Sequence, residues 1–332
     1  MRTSTFWLEV EDGAKLFVRV WEPDAAAPKA VVQIAHGMAE HGGRYERVAE
    51  RLTAAGYVVY AHDHRGHGQT APSRADLGYF ADQEGFMRAV RDMLALSARI
   101  RAERPGLPLF MMGHSMGSML VRLYLFQSEA PPLAGVVLSG TSGRTTELAW
   151  LGILLGKGER LRVGPRRVSK LLQLASVGAY NLGFRPNRTP HDWLSRDPAE
   201  VDKYAADPLC AFDLTVQGWL DVYSGALAIE READIARLPK DLPLYLFAGS
   251  RDPVGGDTRG GRWLHDALRR AGMRDVTTRF YPDARHETLN ETNRDEVERE
   301  LVAWLDLALA RWKEPGGKRD GQGGVHPPRA VS

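Results

Sequence analysis

The chain has 332 residues, 43% hydrophobic and 26% charged, with a net charge of +2 and one cysteine, Cys210. This is ordinary globular composition with material for a large core, and its near-balanced charge gives no reason to expect a nucleic-acid partner. A lone cysteine excludes an internal disulfide and fits a reducing compartment. The N-terminal stretch MRTSTFWLEVEDGAK lacks the apolar region of a signal peptide, and the apolar stretch at 148–155 is far too short to cross a bilayer. The expectation is a soluble, cytoplasmic protein.

In chain order, 6–10 and 15–21 alternate around Asp12-Gly13, which predicts an antiparallel hairpin. A buried strand follows at 30–35 and runs into His36-Gly37-Met38-Ala39-Glu40-His41. Next come a helix over 45–55, a strand over 57–61, the His/Gly-rich segment 62–70 and a long helix over 86–102. The apolar run at 109–112 breaks at Gly113-His114-Ser115-Met116-Gly117, resumes as a helix to about 127, and precedes a strand at 135–138. Strands alternating with helices of this length imply parallel pairing with crossovers. From 142 to 238 that alternation stops, and Pro165, Pro186, Pro190, Pro198 and Pro208 punctuate a helical region. Alternation returns with strands at 242–247 and 276–281 and helices over 261–271 and 294–312. The predicted architecture is therefore α/β, with a mostly parallel central sheet flanked by helices. Residues 1–141 and 239–312 form the core, 142–238 an inserted helical cap, and the Gly/Pro-rich 313–332 a disordered tail.

Ser115 falls on a sharp strand-to-helix turn, where glycines at 113 and 117 remove side chains from a crowded junction. A serine hydroxyl is a weak nucleophile; it needs a base, and the base needs an orienting acid. In an open parallel sheet such groups collect at the carboxyl ends of strands. Asp252 follows the strand at 242–247 and His286 follows the strand at 276–281, so both are expected on the rim that carries Ser115. Asp257 and Asp283 are fallback acids, and His265, inside a predicted helix, is a poor base. Two N–H donors are needed where the tetrahedral oxyanion forms. These are assigned to Met116, directly after the serine, and Met38, in the loop after the strand at 30–35. His62, His64 and His67 lack the spacing of a known zinc site, so no metal and no cofactor are expected.

The segments HGMAEHGGRYERVAERLTAAGYVVYAHDHRGHGQT, GHSMGS, GSRDPV and YPDARHETLNE resemble α/β-hydrolases of the monoacylglycerol lipase and lysophospholipase type. The resemblance spans about 36 to 291. It implies the α/β-hydrolase fold, Ser115, Asp252 and His286 as a catalytic triad, Met38 and Met116 as oxyanion donors, a lid built from the insert, and cleavage of acyl esters of glycerol or similar alcohols. Three positions depart from the pattern: Ala39 replaces a glycine of HGxGEH, Ser118 replaces a glycine after the elbow, and the 62–70 loop ends in Gln69-Thr70. These bear on substrate choice more than on activity.

Within the insert, Leu148, Trp150, Leu151, Ile153, Leu154 and Leu155 are nearly continuous and predict a lid helix facing the pocket or a lipid surface. The nearby Lys157, Arg160, Arg162, Arg166, Arg167 and Lys170 would suit anionic headgroups. Leu151, Leu154, Trp193, Phe212 and Trp219 are the candidate substrate-binding residues, and Cys210 reads as a small packed residue. The expected partners are an acyl ester or lipid and, transiently, a lipid interface. The alternatives are a lysophospholipase, an aminopeptidase or a thioesterase using the same triad, or a catalytically silent binding protein. An aminopeptidase would need a carboxylate in the insert, such as Glu147, Asp192, Asp197 or Asp202, to hold the substrate amine.

Overall fold

A computed structural model describes residues 1–24 and 27–312; the expected tail at 313–332 lies outside them. Eight strands form one sheet. They are β1 (Arg2–Glu9), β2 (Lys15–Glu22), β3 (Ala30–Ala35), β4 (Tyr57–His62), β5 (Leu109–His114), β6 (Gly135–Ser139), β7 (Leu244–Gly249) and β8 (Val276–Tyr281). Their order across the sheet is β1-β2-β4-β3-β5-β6-β7-β8. The hairpin strands run antiparallel, and every pairing from β4 to β8 is parallel. Gly13 takes φ +80°, a conformation open to glycine without steric cost, and so closes the hairpin.

Two helix layers cover the sheet. On one face lie α1 (Glu46–Ala54) and, near the end of the chain, α10 (Arg294–Arg311), packed on alternate residues of the central strands. On the other lie α2 (Gly85–Glu103), α3 (Met116–Leu125) and α9 (Arg259–Arg270), whose apolar stripes meet the intervening residues. Strands β3 to β7 are buried along their whole length, as continuous apolar runs require. Edge strand β8 instead alternates between partly buried and exposed positions. The strand predicted at 242–247 sits two residues later. Ala248 and Gly249 extend the ladder with β8, and Gly249 is required because a Cβ there would lie 2.1 Å from the Ala284 carbonyl oxygen.

Between β6 and β7 the chain contributes helices and no strand of the sheet: α4 (Thr146–Val163), α5 (Lys170–Ser176), α6 (Pro198–Ala206), α7 (Val216–Ala228) and α8 (Glu232–Arg237). Helix α7 packs on α2, α3 and α4. Helix α4 presents its small residues, not its large ones, to α7. Ala149, Gly152 and Gly156 are buried, and a Cβ at Gly152 would lie 2.4 Å from the Tyr223 ring. That close approach turns Leu148, Trp150, Leu151 and Leu154 outward, with exposures of 71, 59, 63 and 70%.

Candidate active site

Ser115 stands between the end of β5 and the first turn of α3, with φ +52° and ψ −120°. A non-glycine residue at positive φ is uncommon and marks an imposed conformation. The crowding that imposes it is severe. A Cβ at Gly113 would lie 2.5 Å from the Gly117 carbonyl oxygen, and a Cβ at Gly117 would lie 2.1 Å from that of Ala35. The turn leaves Ser115 partly exposed, lining a half-open cavity of about 640 Å³ between the sheet rim and the insert.

His286 lines the same cavity. Its Nδ1–H donates to Asp252 Oδ1 at 2.9 Å, and both side chains are buried. The other Asp252 oxygen has no hydrogen-bond partner, while Oδ1 also accepts from the Val254 N–H at 2.9 Å. Burial alone would lower the imidazole pKa, but the charge and hydrogen bond of Asp252 outweigh it, so His286 is raised above 6.5. Gly140 lets the backbone approach this ring, since a Cβ there would lie 3.0 Å from Cε1. The fallback acids serve elsewhere in the backbone: the Asp257 N–H donates to the Asp252 carbonyl oxygen and the Asp283 N–H to Ser250 Oγ. His265 bonds Thr278 Oγ1 at 2.8 Å on α9.

The loop after β3 approaches Ser115 closely. A Cβ at Gly37 would lie 3.4 Å from that of Ser115 and 2.8 Å from Glu40 Oε1. The Gly37 N–H is taken by the Glu40 carboxylate at 2.5 Å. The N–H groups of Met38 and Met116 have no acceptor among the described residues. Met38 lines the cavity, whereas the Met116 side chain is buried in the core beneath it.

Several groups around the site went unread in the sequence. Arg44 donates to both oxygens of Glu287 at 2.7 Å and to Glu40 at 2.5 Å, tying the loop after β3 to the residue after His286. Burial would raise the Glu287 carboxyl, but Arg44 outweighs it and holds it below the usual carboxylate range. His114, whose ring centroid lies 4.8 Å from that of His286, is pushed down to about 4 by burial and by that neighbour, so it stays neutral.

Of the five candidate substrate-binding residues, Trp193 and Phe212 line the cavity, and the Trp193 ring lies 5.1 Å from His286. Leu151 and Leu154 do not; the α4–α7 seam turns them to solvent. Trp219 also lies away from the cavity. It is 3% exposed on α7 and stacked on Tyr223 at 5.7 Å. The apolar wall is built instead by Leu174, Val177, Leu182 and Leu214, together with Phe212.

The four histidines 36, 62, 64 and 67 are fully buried in the rim; the rings of 36, 64 and 67 are hydrogen-bonded there, whereas neither ring nitrogen of His62 has a partner among the described residues. His36 Nδ1–H donates to its neighbour's carbonyl, Gly37 O, at 2.7 Å, and its Nε2 accepts from the His64 N–H at 2.9 Å. Elsewhere, His41, Asp207 and Cys210 bring ligand-type atoms within 4.8 Å of one another. His41 is already satisfied by protein groups: Nε2–H donates to Asp207 Oδ2 at 2.9 Å, and Nδ1 accepts from the Gly43 N–H at 3.1 Å. Cys210 is buried, which raises its thiol and makes it unreactive.

A buried His–Asp pair facing a strained serine across one cavity, on this strand order, is the frame of a serine hydrolase. The family described as Serine aminopeptidase, S33 matches residues 26–293. The chain belongs to this family of α/β-hydrolases. It is 33% identical over 304 residues to the human monoglyceride lipase, covering 90% of this chain and 89% of the relative. It is 30% identical over 300 residues to the monoacylglycerol lipase of Mycolicibacterium smegmatis, covering 88% and 93%. Among solved structures, a thermostable carboxyl esterase from Bacillus coagulans in complex with glycerol superposes with a TM-score of 0.85 at 29% identity, covering 93% of this chain and 99% of that one. The chain is thus a serine hydrolase of the α/β-hydrolase fold. No helix among the described residues is long and apolar enough to cross a membrane.

Proposed function

We propose that the protein is a carboxylic-ester hydrolase of monoacylglycerol lipase type, working through an acyl-enzyme on Ser115. The observation that carries the reading is the His286–Asp252 hydrogen bond of 2.9 Å, with His286 and Ser115 lining one cavity. His286 takes the Ser115 proton as the hydroxyl attacks the acyl carbon, and Asp252 stabilises the imidazolium that forms. The Met38 and Met116 N–H groups receive the oxyanion. His286 then protonates the departing alcohol. A water molecule, deprotonated by the same imidazole, releases the acid and restores Ser115.

The insert serves as a cap. Its leucines at 174, 182 and 214 offer an acyl chain an apolar wall. Leu174 and Leu182 are also 68% and 54% exposed, so the cavity mouth has an apolar rim suited to taking substrate from a lipid surface. The similarity to lipases that cleave monoacylglycerols supports glyceryl esters as substrates. Replacing Ser115 by Ala should abolish turnover of p-nitrophenyl butyrate and of monoacylglycerols, and should abolish labelling by a fluorophosphonate. Retained turnover would overturn the reading.

One observation favours a second substrate class. Asp213 lines the cavity, where a substrate amine would meet a carboxylate as an aminopeptidase requires, in keeping with the family's description. Amino-acid p-nitroanilides turned over faster than monoacylglycerols would select it.

A further inference from the structure

The described residues hold six non-glycine residues at positive φ, and three of them, Ser115, Ala39 and Ala211, line the catalytic cavity. Two of these three are bonded to each other. The Ala211 N–H, in the insert between α6 and α7, donates to the Ala39 carbonyl oxygen at 3.0 Å, with φ of +56° and +55° respectively. A side chain at positive φ is sterically costly, so each alanine is held there by its surroundings. A second link lies two residues further along the same loop, where His41 donates to Asp207 at 2.9 Å. Two short stretches, 39–41 of the core and 207–211 of the insert, are therefore fastened at both ends.

The position of this fastening matters for the chemistry. The Met38 N–H has no acceptor among the described residues. The peptide unit that carries it is separated from the strained rotation at Ala39 by one further peptide unit. If Ala39 relaxed to a negative φ, the Met38–Ala39 peptide would swing, and the free N–H with it. On the other side of the cavity the insert also accepts hydrogen bonds from the His286 loop, through Glu287 N–H to Leu194 O at 2.7 Å and His286 N–H to Trp193 O at 3.4 Å. The insert thus touches both catalytic loops through their backbones.

We propose that the hydrogen bond between Ala211 and Ala39 is a clasp by which the docked insert sets the aim of the Met38 N–H, making Ala39 and Ala211 positioning residues for the reaction. The proposal rests on Met38 acting as an oxyanion donor. A cap that lifts away unlatches the donor, and one that docks restores it, so a productive oxyanion site exists only when the substrate is covered.

Ala211→Pro removes the N–H and cannot adopt a positive φ, whereas Ala211→Gly keeps both. With p-nitrophenyl butyrate, A211P should lose roughly tenfold in kcat, less than the full loss of an oxyanion donor. Its KM should stay within about twofold, and A211G should match the parent. A loss confined to KM, or equal losses in both variants, would overturn the clasp. If A211P does not fold, Asp207→Ala should lower kcat and Asp207→Asn, which still accepts from His41, should recover it; unchanged kcat in D207A would overturn the clasp. Ser115→Ala run alongside separates the two claims. Turnover surviving in S115A defeats the catalytic reading itself, whereas abolition in S115A with A211P at parental kcat defeats the clasp alone.

Discussion

Arg44 and Glu287, 243 positions apart, are joined by two parallel hydrogen bonds of 2.7 Å, directly behind His286. Both side chains are nearly buried, with 11% and 6% exposure. Replacing Arg44 by Gln would leave the Glu287 carboxylate buried without its cation. The expected cost is roughly 3–5 kcal/mol, because an unpaired charge in the interior keeps its desolvation penalty. Urea unfolding of R44Q against the parent checks it. A change under about 1 kcal/mol would mean that water reaches Glu287.

The His286–Asp252 pair sets the pH profile. With its pKa raised above 6.5, His286 is neutral and able to accept a proton only at higher pH, so the acid limb of kcat/KM should have its midpoint above 6.5. Asp252→Asn removes the charge that offsets burial. The midpoint should then fall, and kcat should drop by about four orders of magnitude as the imidazole loses its orientation. A profile unmoved by D252N would point to another acid.

Five buried histidines work in the opposite direction on stability. His36, His62, His64, His67 and His114 all have pKa values lowered chiefly by burial. Unfolding lets each take up a proton below pH 6.5, so stability should fall as pH drops from 6.5 towards 4. Each histidine contributes a slope of up to about 1.4 kcal/mol per pH unit. His286 has the contrary sign: its raised pKa adds stability fully present below 6.5 and lost as pH rises through its folded value. Unfolding free energies measured from pH 7 to 5 should decline with a slope worth several protons; a flat line would show these rings already protonated in the fold.

Ala39 stands at φ +55° where glycine would carry no steric cost. Ala39→Gly should relieve about 1–2 kcal/mol of backbone strain. About 0.4–1 kcal/mol of that is returned through the greater freedom of the unfolded chain. A net gain of up to about 1.6 kcal/mol, read from the denaturation midpoint, is expected. A loss would mean that the Ala39 methyl makes packing contacts worth more than the strain.

The outward leucines of α4 are expected to meet lipid. Leu151→Asp with Leu154→Asp should leave p-nitrophenyl butyrate turnover intact, because neither residue lines the cavity. Binding to phosphatidylcholine–phosphatidylglycerol vesicles should fall by at least roughly tenfold, as two half-buried leucines contribute about 2 kcal/mol. Undiminished vesicle binding would move the contact elsewhere.

What the sequence made legible was whatever depends on strand order. Ser115, Asp252 and His286 could be brought to one rim because each follows a buried apolar run of a parallel sheet, whose functional groups gather at one end. On helix α4 only the placing of Leu151 and Leu154 in the pocket failed, and for a physical reason. The buried stripe includes Ala149, Gly152 and Gly156, where α7 comes near, so Leu148, Trp150, Leu151 and Leu154 mark the outer face. Trp219 was drawn towards the pocket by its size, but its ring stacks on Tyr223 within the insert. The Arg44–Glu287 pair has no local pattern at all. Ala39 stood out as a departure from a motif, yet its left-handed backbone and its partner Ala211 emerge only once the insert is folded onto the loop.

The missing side chains at the elbow constrain how such an enzyme can diversify. At Gly117 even one methyl group would collide with the main-chain oxygens of Ala35 and His36, at the end of β3 and just beyond it, whereas Gly158 on α4 faces open space. Laboratory selection for new ester preferences should therefore find Gly113 and Gly117 closed to substitution. Its usable variation should accumulate in the insert, leaving the machinery of bond cleavage frozen while the choice of molecule drifts.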